Sequence, residues 1–180
     1  MEEAWIETVS GRKFTFLSPK DEDIDINDIA HALSMTCRYS GHVRQFYSVA
    51  EHSYLASFLV PPEDALGALL HDASEAYITD VASPIKSHLH NYKKLEDTIM
   101  QAIANKYGFT YPVSAAIKKA DVAMLSTEAH WLMPGKGDNW TFWNGVERPD
   151  IYIGIKPSCL SPEQAKKYFI ERFNILCEGK

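Results

Sequence analysis

The sequence has few cysteines and no long apolar run. Its 180 residues include only Cys37, Cys159 and Cys177, which are far apart and form no Cys-x-x-Cys pair, so neither a zinc ribbon nor a thiol redox motif is expected. No stretch approaches 18 consecutive apolar residues, so a transmembrane helix is not expected. The first residues are acidic and no apolar segment follows them, so no signal peptide is predicted. These features predict a cytoplasmic protein with reduced thiols.

An excess of basic charge is also missing. The chain contains 18 Lys and Arg against 24 Asp and Glu, a net charge of −6, which gives no general attraction to nucleic acid or to an anionic membrane. Neither is predicted as a partner, although a local basic pocket for a small phosphate ligand is compatible with this charge. The length fits one domain, predicted over residues 1–180, and the hydrophobic share of 46% is ordinary for a globular protein.

Helical spacing of apolar residues dominates the chain. Two short strands, WIETV and KFTFL, surround a Gly turn and predict a hairpin within residues 1–18. Helices are predicted for DINDIAHALSMTCR, for Ser48 to Pro61, for Pro62 to the ITDVASP region, for YKKLEDTIMQAIANKYG, for VSAAIKKADVAMLSTEAHWLM and for residues 161–178. Residues 134–160 are predicted to form an ordered, aromatic loop. The expected fold class is mainly α, with a small N-terminal β-hairpin.

Helix boundaries are also predicted from local signals. Asp25 or Asn27 is expected to cap the first helix, and Gly108 is expected to end the long helix that precedes it. Ser161 is expected to be the N-cap of the last helix, with Pro162 at its first position.

Four polar residues interrupt the apolar helix faces: His52, His71, Asp72 and Asp121. Each has an ordinary alternative, since a core histidine can bond to a carbonyl and a buried aspartate can cap a helix. An unpaired ionised carboxylate in an apolar interior is costly, however, and one divalent metal would satisfy all four side chains together. Two imidazole nitrogens and two carboxylate oxygens suit Zn, Mn, Co, Fe or Ni and leave positions open for water and substrate.

The order and spacing of these residues resemble those of the HD-domain phosphohydrolases. The segments FYSVAEHS, LLHDASEAYITD, SPIK and KKADVAMLSTE are similar to the bacterial 5′-deoxynucleotidases and to small phage and bacterial HD phosphohydrolases, which include phage dATP triphosphohydrolases. The segment IAHALSMTCRYSGHVRQFYSVAEHS is especially similar to the latter group. The resemblance implies an HD-domain helical bundle that holds a divalent metal, Zn, Co or Mn, through the four residues named above.

The resemblance also implies a role for Glu75. In the family, the matching glutamate orients or deprotonates the attacking water, or protonates the leaving oxygen. Its spacing agrees, because on a continuous helix Glu75 would share the face of His71 and Asp72. The alternative is a surface glutamate that supports the helix.

Further matches lie on the substrate side of the family's site. Asp80 matches the residue that meets the sugar 3′-hydroxyl, and its alternative is an N-cap for the turn before Pro84, which also matches a substrate-side position. Arg38 and Lys86 match phosphate-binding residues, and the alternative for each is a surface charge.

Two positions depart from the deoxynucleotidases. Tyr39 stands where they carry a tryptophan that crowds the 2′ position, and a tyrosine there can still stack or block. His42 has no counterpart in them but looks usual in the phage-like group. It is expected near the phosphates or beside the metal ligands, or else in a structural hydrogen bond.

The expected function is metal-dependent hydrolysis of a deoxynucleotide at its 5′-phosphoester bond. The N-terminal half favours a dNTP triphosphohydrolase that prefers dATP and releases deoxynucleoside and triphosphate, and the alternative is a dNMP 5′-nucleotidase. A different class of protein, a non-catalytic metal-stabilised nucleotide-binding module, would not require Glu75 beside the ligands. The resemblance further implies a homo-oligomer, either a dimer or a hexamer.

Overall fold

The N-terminal hairpin covers one side of the helical core. The computed structural model of the chain describes residues 4–140 and 154–178. Strand β1 (Trp5–Glu7) pairs antiparallel with β2 (Lys13–Thr15), and Gly11 takes a φ of +80° in the turn between them. Phe14 of β2 is fully buried and stacks on the ring of Tyr77 at a centroid distance of 3.6 Å. The predicted hairpin is therefore confirmed.

Helices form most of the remaining regular structure in these two ranges. They are α1 (Ile26–Met35), α2 (Val49–Ala56), α3 (Ala65–Leu69), α4 (Glu75–Ile78), α5 (Ser83–Lys86), α6 (Tyr92–Tyr107), α7 (Ala115–Leu132) and α8 (Pro162–Cys177). The fold class is mainly α with a small N-terminal hairpin, as predicted. None of the helices in the described part of the chain is both long and apolar enough to cross a bilayer.

The helix ends follow the predicted local signals. Asp25 accepts a hydrogen bond from the backbone N–H of Asn27 at the start of α1. Ser161 and Gln164 form a capping box at the start of α8, with Pro162 at the first helical position. Gly108 ends α6 with a φ of +70°, a left-handed conformation that glycine adopts without a Cβ clash.

The core lies where α1, α2 and α8 pack against one another. Leu33, Val49, Leu69 and Phe169 are among its fully buried residues. Helix α2 also contacts both α3 and α7. This packing brings three separate segments of the chain to one place beside the core.

The prediction of one continuous helix from Pro62 to the ITDVASP region is wrong, because the structure has two short helices there with a break between them. Helix α3 ends at Leu69, residues 70–74 form turns, and α4 begins at Glu75. The backbone N–H of Ser74 donates to the sulfur of Met100 on α6 at 3.3 Å. The N–H of Glu75 donates to the carbonyl of Asp72, three residues back. These bonds replace the i−4 bonds of a continuous helix, so the expectation that Glu75 shares a regular helix face with the His-Asp pair is wrong.

A buried carboxylate fixes the chain where it approaches α8. Oε1 of Glu51 accepts the backbone N–H groups of Ser158 at 2.6 Å and Cys159 at 3.1 Å, and Oε2 accepts that of Leu160 at 2.8 Å. Of the loop predicted at 134–160, residues 134–140 and 154–160 contain turns and irregular chain, and its middle lies outside the described residues.

Candidate metal centre

The Nε2 atoms of His52 and His71 face each other at 3.3 Å. His52 lies on α2, whereas His71 lies in the break between α3 and α4. Oδ2 of Asp72 lies 3.6 Å from Nε2 of His52 and 3.3 Å from Nε2 of His71. One ligand atom from each of the three residues lies within 4.8 Å of the others, so they form a cluster that can hold a metal ion.

Asp121 of α7 approaches the same pair of imidazoles. Its Oδ1 lies 3.2 Å from Nε2 of His52 and 3.8 Å from Nε2 of His71. The His52 side chain is fully buried, whereas the side chains of Asp72 and Asp121 are 20% and 38% exposed. The structure thus brings the four predicted ligands together, with the imidazoles on the protein side and the carboxylates toward solvent.

The outer nitrogen of each imidazole is already used. Nδ1 of His52 lies 2.6 Å from Oε1 of Glu128, and Nδ1 of His71 lies 2.7 Å from the carbonyl oxygen of Ala68. Because a carboxylate and a carbonyl only accept, each Nδ1 carries its hydrogen and donates it. In the neutral rings, both Nε2 lone pairs therefore point into the same small space. A cation there relieves their repulsion, so this donor set fits a divalent metal.

The charges around the imidazoles agree with a cation site. Burial and Arg38 act to lower the pKa of His52, but Glu128 and Asp121 outweigh them and raise it. Burial likewise acts to lower the pKa of His71, but Asp72 and Asp121 raise it to about 9. Burial opposes ionisation of Asp121, yet the adjacent imidazoles of His52 and His71 hold its pKa well below the usual range. The site therefore favours positive charge at the imidazoles and negative charge at the carboxylate.

Glu128 is a residue of this site that sequence reasoning missed. It is fully buried on α7, seven residues after Asp121 and hence on the same side of the helix two turns later. Besides the imidazole, Oε1 accepts the hydroxyl of Tyr47 at 2.9 Å. Oε2 accepts Nε of Arg38 at 3.1 Å and the hydroxyl of Tyr39 at 2.8 Å. Two signals in the sequence point to Glu128, namely its seven-residue spacing from Asp121 and its place at the end of the segment KKADVAMLSTE.

Glu75 is buried, so the alternative of a surface glutamate is wrong. It is 5% exposed, and its Oε1 lies 3.4 Å from Nζ of Lys86. Its Oε2 is buried without a hydrogen-bond partner among residues 4–140 and 154–178. Burial, and then the nearby Asp72 and Asp80 carboxylates, raise the pKa of Glu75 well above its ordinary value. Glu75 is thus a carboxyl group that retains a proton more readily than usual.

The two predicted phosphate-binding cations are both paired rather than free at the surface. NH1 of Arg38 lies 3.5 Å from Oδ2 of Asp72, and this side chain is only 11% exposed. Nζ of Lys86 lies 2.9 Å from Glu96 on α6 as well as near Glu75. The alternative of a surface charge is therefore wrong for Arg38, and Lys86 is 29% exposed between two carboxylates.

Most of the predicted substrate-side residues line one cavity of about 280 Å³. They are Arg38, Tyr39, His42, Asp80 and Pro84, joined by Ser40, Ala82, Ser83, Leu125, Met133 and Trp140. Lys86 does not line it. Arg38 connects this cavity to the ligand cluster, because it lines the cavity and its NH1 atom lies 3.5 Å from Oδ2 of Asp72. A larger groove of about 790 Å³, which Leu17 and Lys94 help to line, has no histidine in its lining and lies away from these residues.

Asp80 and His42 each had an alternative structural role in the sequence analysis. The N-cap of α5 is Ala82, without a side-chain capping bond, so the alternative of Asp80 as that N-cap is wrong. The backbone N–H of His42 donates to the carbonyl of Tyr39, and His42 is one of the residues that line the cavity. Its predicted place near the phosphates stays a prediction.

Comparison with known proteins gives two relatives that match nearly the whole chain. The uncharacterized protein YfdR of Escherichia coli is 42% identical over 175 residues, which is 97% of this chain and 97% of that protein. The uncharacterized protein RCAP_rcc00048 of Rhodobacter capsulatus is 30% identical over 190 residues, which is 98% of this chain and 97% of that protein. No family model matches the sequence. At this identity and coverage, the chain belongs to the same family as YfdR of Escherichia coli.

Proposed function

We propose that this protein is an HD-type, metal-dependent phosphohydrolase that cleaves deoxynucleotides at the 5′-phosphoester bond. The observation that carries the proposal is the pair of Nε2 atoms 3.3 Å apart on His52 and His71, whose outer nitrogens are both engaged elsewhere. Asp72 and Asp121 complete a donor set of two nitrogens and two carboxylates. Two carboxylates balance the charge of a divalent ion, so the site can still accept an anionic phosphate.

The donor set suits a borderline metal, for which we propose Zn, Co or Mn. Such an ion, when bound, supplies a Lewis acid for a phosphoryl oxygen and lowers the pKa of water. The imidazoles of His52 and His71 are held for this task by Glu128 and by the carbonyl of Ala68. Little rearrangement of the two rings is then needed on binding.

The cations beside the cluster are suited to the phosphate. The guanidinium of Arg38 contacts Asp72, so it lies where it can donate to phosphoryl oxygens and offset the charge that develops on them. Lys86 adds a second positive charge from α5 and is held by Glu75 and Glu96. In this arrangement the two cations act on the phosphate from two different segments of the chain.

Glu75 is suited to the proton transfer. Water attacks the α-phosphorus, the bond from phosphorus to the 5′-oxygen breaks, and that oxygen must gain a proton as it leaves. A buried carboxyl whose pKa is raised well above its ordinary value holds such a proton near neutral pH. We assign Glu75 this role, or the alignment of the attacking water.

The adjoining cavity is suited to a nucleoside. Its volume of about 280 Å³ lies near the lower end of the usual size of ligand pockets, enough for one nucleoside. The rings of Tyr39 and Trp140, with centroids 6.0 Å apart, and the apolar Leu125 and Met133 offer faces for a base. Asp80 offers a carboxylate for the sugar 3′-hydroxyl. Among deoxynucleotides we propose dATP as the preferred substrate, with deoxyadenosine and triphosphate as products.

Product analysis tests this proposal. The full chain is incubated with dATP or dAMP and with Mn²⁺, Co²⁺ or Zn²⁺, and the products are separated by ion-exchange chromatography. Deoxyadenosine and triphosphate from dATP are expected. Release of phosphate from dAMP, without turnover of dATP, would identify a 5′-nucleotidase instead. Release of pyrophosphate from dATP would contradict cleavage at the 5′-oxygen. Metal binding without turnover of any deoxynucleotide would favour a non-catalytic nucleotide-binding module.

A further inference from the structure

The carboxylate of Glu128 joins two parts of the site that have different tasks. Oε1 is bonded to the metal-site imidazole of His52 and to Tyr47, and Oε2 is bonded to Arg38 and Tyr39 in the cavity wall. We propose that Glu128 is a positioning residue through which binding in the nucleoside cavity and binding at the metal centre strengthen each other. The proposal rests on the proposed function, because it assigns that function's metal and nucleoside to these two sides.

On the metal side, Glu128 fixes how one ligand is presented. Its bond of 2.6 Å to Nδ1 of His52 sets the tautomer and the rotation of a ring that is fully buried. The Tyr47 hydroxyl, 2.9 Å from the same oxygen, holds that oxygen in place. Partners of this kind behind a metal ligand typically change metal affinity by roughly 10- to 100-fold when they are removed.

On the cavity side, Glu128 holds a turn at residues 39–41 whose backbone conformation is unfavourable for Tyr39 and Ser40. Tyr39 has a φ of 58° and Ser40 a φ of 52°, in the left-handed region that residues with a Cβ rarely occupy, and Gly41 follows at 80°. Such a turn persists only where its surroundings impose it. The side chains of Arg38 and Tyr39, at its start, are both bonded to Oε2 of Glu128.

The four bonds use the acceptor capacity of the carboxylate fully. Two donors meet each oxygen, which is what an ionised carboxylate can accept in good geometry. A shift of the carboxylate toward one pair of donors therefore changes its bonds to the other pair. A ligand that orders the turn at Tyr39 should thus also order His52, and this coupling must work equally in the reverse direction.

Glu128→Gln is the most direct variant. The side chain keeps its shape but loses its charge, and its amide group presents hydrogens to two donors that carry hydrogens themselves. Tyr47→Phe and Tyr39→Phe each remove one hydroxyl, on the metal side and on the cavity side respectively. Glu51→Gln is the matched control, because Glu51 is equally buried but, within residues 4–140 and 154–178, its carboxylate bonds only to the backbone at residues 158–160.

The readout is the affinity for Co²⁺ alone, from calorimetry and from the visible absorption of the ion, with and without 2′,5′-dideoxyadenosine. This nucleoside has neither a phosphate nor a 5′-hydroxyl, so it lacks the groups that the proposed reaction brings to the metal. In the wild type we expect it to tighten Co²⁺ binding several-fold. Circular dichroism shows which variants are folded. If Glu128→Gln does not fold, Tyr47→Phe and Tyr39→Phe test the proposal in its place.

The expected pattern separates the two sides of the carboxylate. Glu128→Gln should weaken Co²⁺ binding roughly 10- to 100-fold and remove the effect of the nucleoside. Tyr47→Phe should weaken Co²⁺ binding by itself, Tyr39→Phe should mainly reduce the effect of the nucleoside, and Glu51→Gln should change neither. The inference would be overturned if Glu128→Gln bound Co²⁺ with wild-type affinity. It would also be overturned if the nucleoside did not change the Co²⁺ affinity of the wild type.

These outcomes are distinct from a failure of the proposed function. A wild type that binds no divalent ion would contradict the proposed function and this inference together. A wild type that binds Co²⁺ and shows the expected pattern, but hydrolyses no nucleotide, would contradict the proposed reaction alone.

Discussion

Nδ1 of His52 donates to Oε1 of Glu128 across 2.6 Å, and both side chains are completely buried. The interior of the helical body thus contains an ionised carboxylate directly behind an imidazole that faces the candidate metal centre. Such a charge is stable only when its hydrogen bonds are complete. Arg38, Tyr39 and Tyr47 supply the remaining three.

We expect the metal-free protein to lose stability at acid pH because Glu128 becomes protonated there. Burial opposes its ionisation, but the charges of Arg38 and His52 and its hydrogen bonds lower its pKa to about 2. Since this pKa is depressed, the stabilisation is fully present above the unfolded value of about 4.3 and is lost as the pH falls toward 2. The difference between the pKa of Glu128 in the unfolded and folded states corresponds to roughly 3 kcal/mol in the free energy of unfolding.

Urea unfolding with a chelator present, between pH 6 and pH 2, measures this effect. The gap in free energy of unfolding between the wild type and Glu128→Gln should shrink by that amount as the pH falls. A gap that stays constant over this range would show that the carboxylate is not held in the ionised state.

A divalent ion should stabilise the fold if the four ligands bind it. At a free Co²⁺ concentration of about 100 times its Kd, the free energy of unfolding should rise by about 2.7 kcal/mol, and a chelator should reverse the change. Asp72→Asn and Asp121→Asn each remove a ligand charge and should abolish most of the rise. Glu171→Gln, in an exposed pair with Lys167, is the matched control and should retain it. An equal rise in all four proteins would place the ion elsewhere.

Glu75→Gln should separate catalysis from metal binding. Loss of a positioned proton donor typically lowers kcat by roughly 10²- to 10⁴-fold. The Co²⁺ affinity should remain near that of the wild type, because Glu75 is not one of the four ligands. The comparison is made with Glu51→Gln, which alters a second buried glutamate whose carboxylate is bonded to the backbone at Ser158 and Leu160. Hydrolysis of dATP by Glu75→Gln at the wild-type rate would remove Glu75 from the reaction.

Asp80→Asn should act on recognition of the sugar. With dATP, the loss of a charged acceptor for the 3′-hydroxyl should raise KM by about tenfold, which corresponds to one charge-assisted hydrogen bond. With 2′,3′-dideoxyadenosine triphosphate, which lacks that hydroxyl, the variant and the wild type should have similar KM values. Steady-state kinetics with both nucleotides gives the comparison. An equal rise for both substrates would mean that Asp80 acts on something other than the 3′ position.

The features that could be predicted from the sequence are those with local causes. The caps at Asp25 and Ser161 and the end of α6 at Gly108 depend on side chains within a few residues. The convergence of His52, His71, Asp72 and Asp121 was predicted from their places on apolar helix faces together with the resemblance to the HD-domain phosphohydrolases.

The features that were missed have distant causes. The break after Leu69 includes a bond from Ser74 to the sulfur of Met100, which comes from another helix. Glu128 receives its donors from residues 76 to 90 positions earlier in the chain. Spacing along α7 alone does not distinguish it from a glutamate at the surface.

The anchoring of residues 158–160 by Glu51 affects how this family can vary. The three bonds to the Glu51 carboxylate come from the backbone N–H groups of Ser158, Cys159 and Leu160. Every amino acid except proline offers such a group. The side chains at these three positions can therefore change during evolution while the chain stays fixed beside the helix residue that precedes His52.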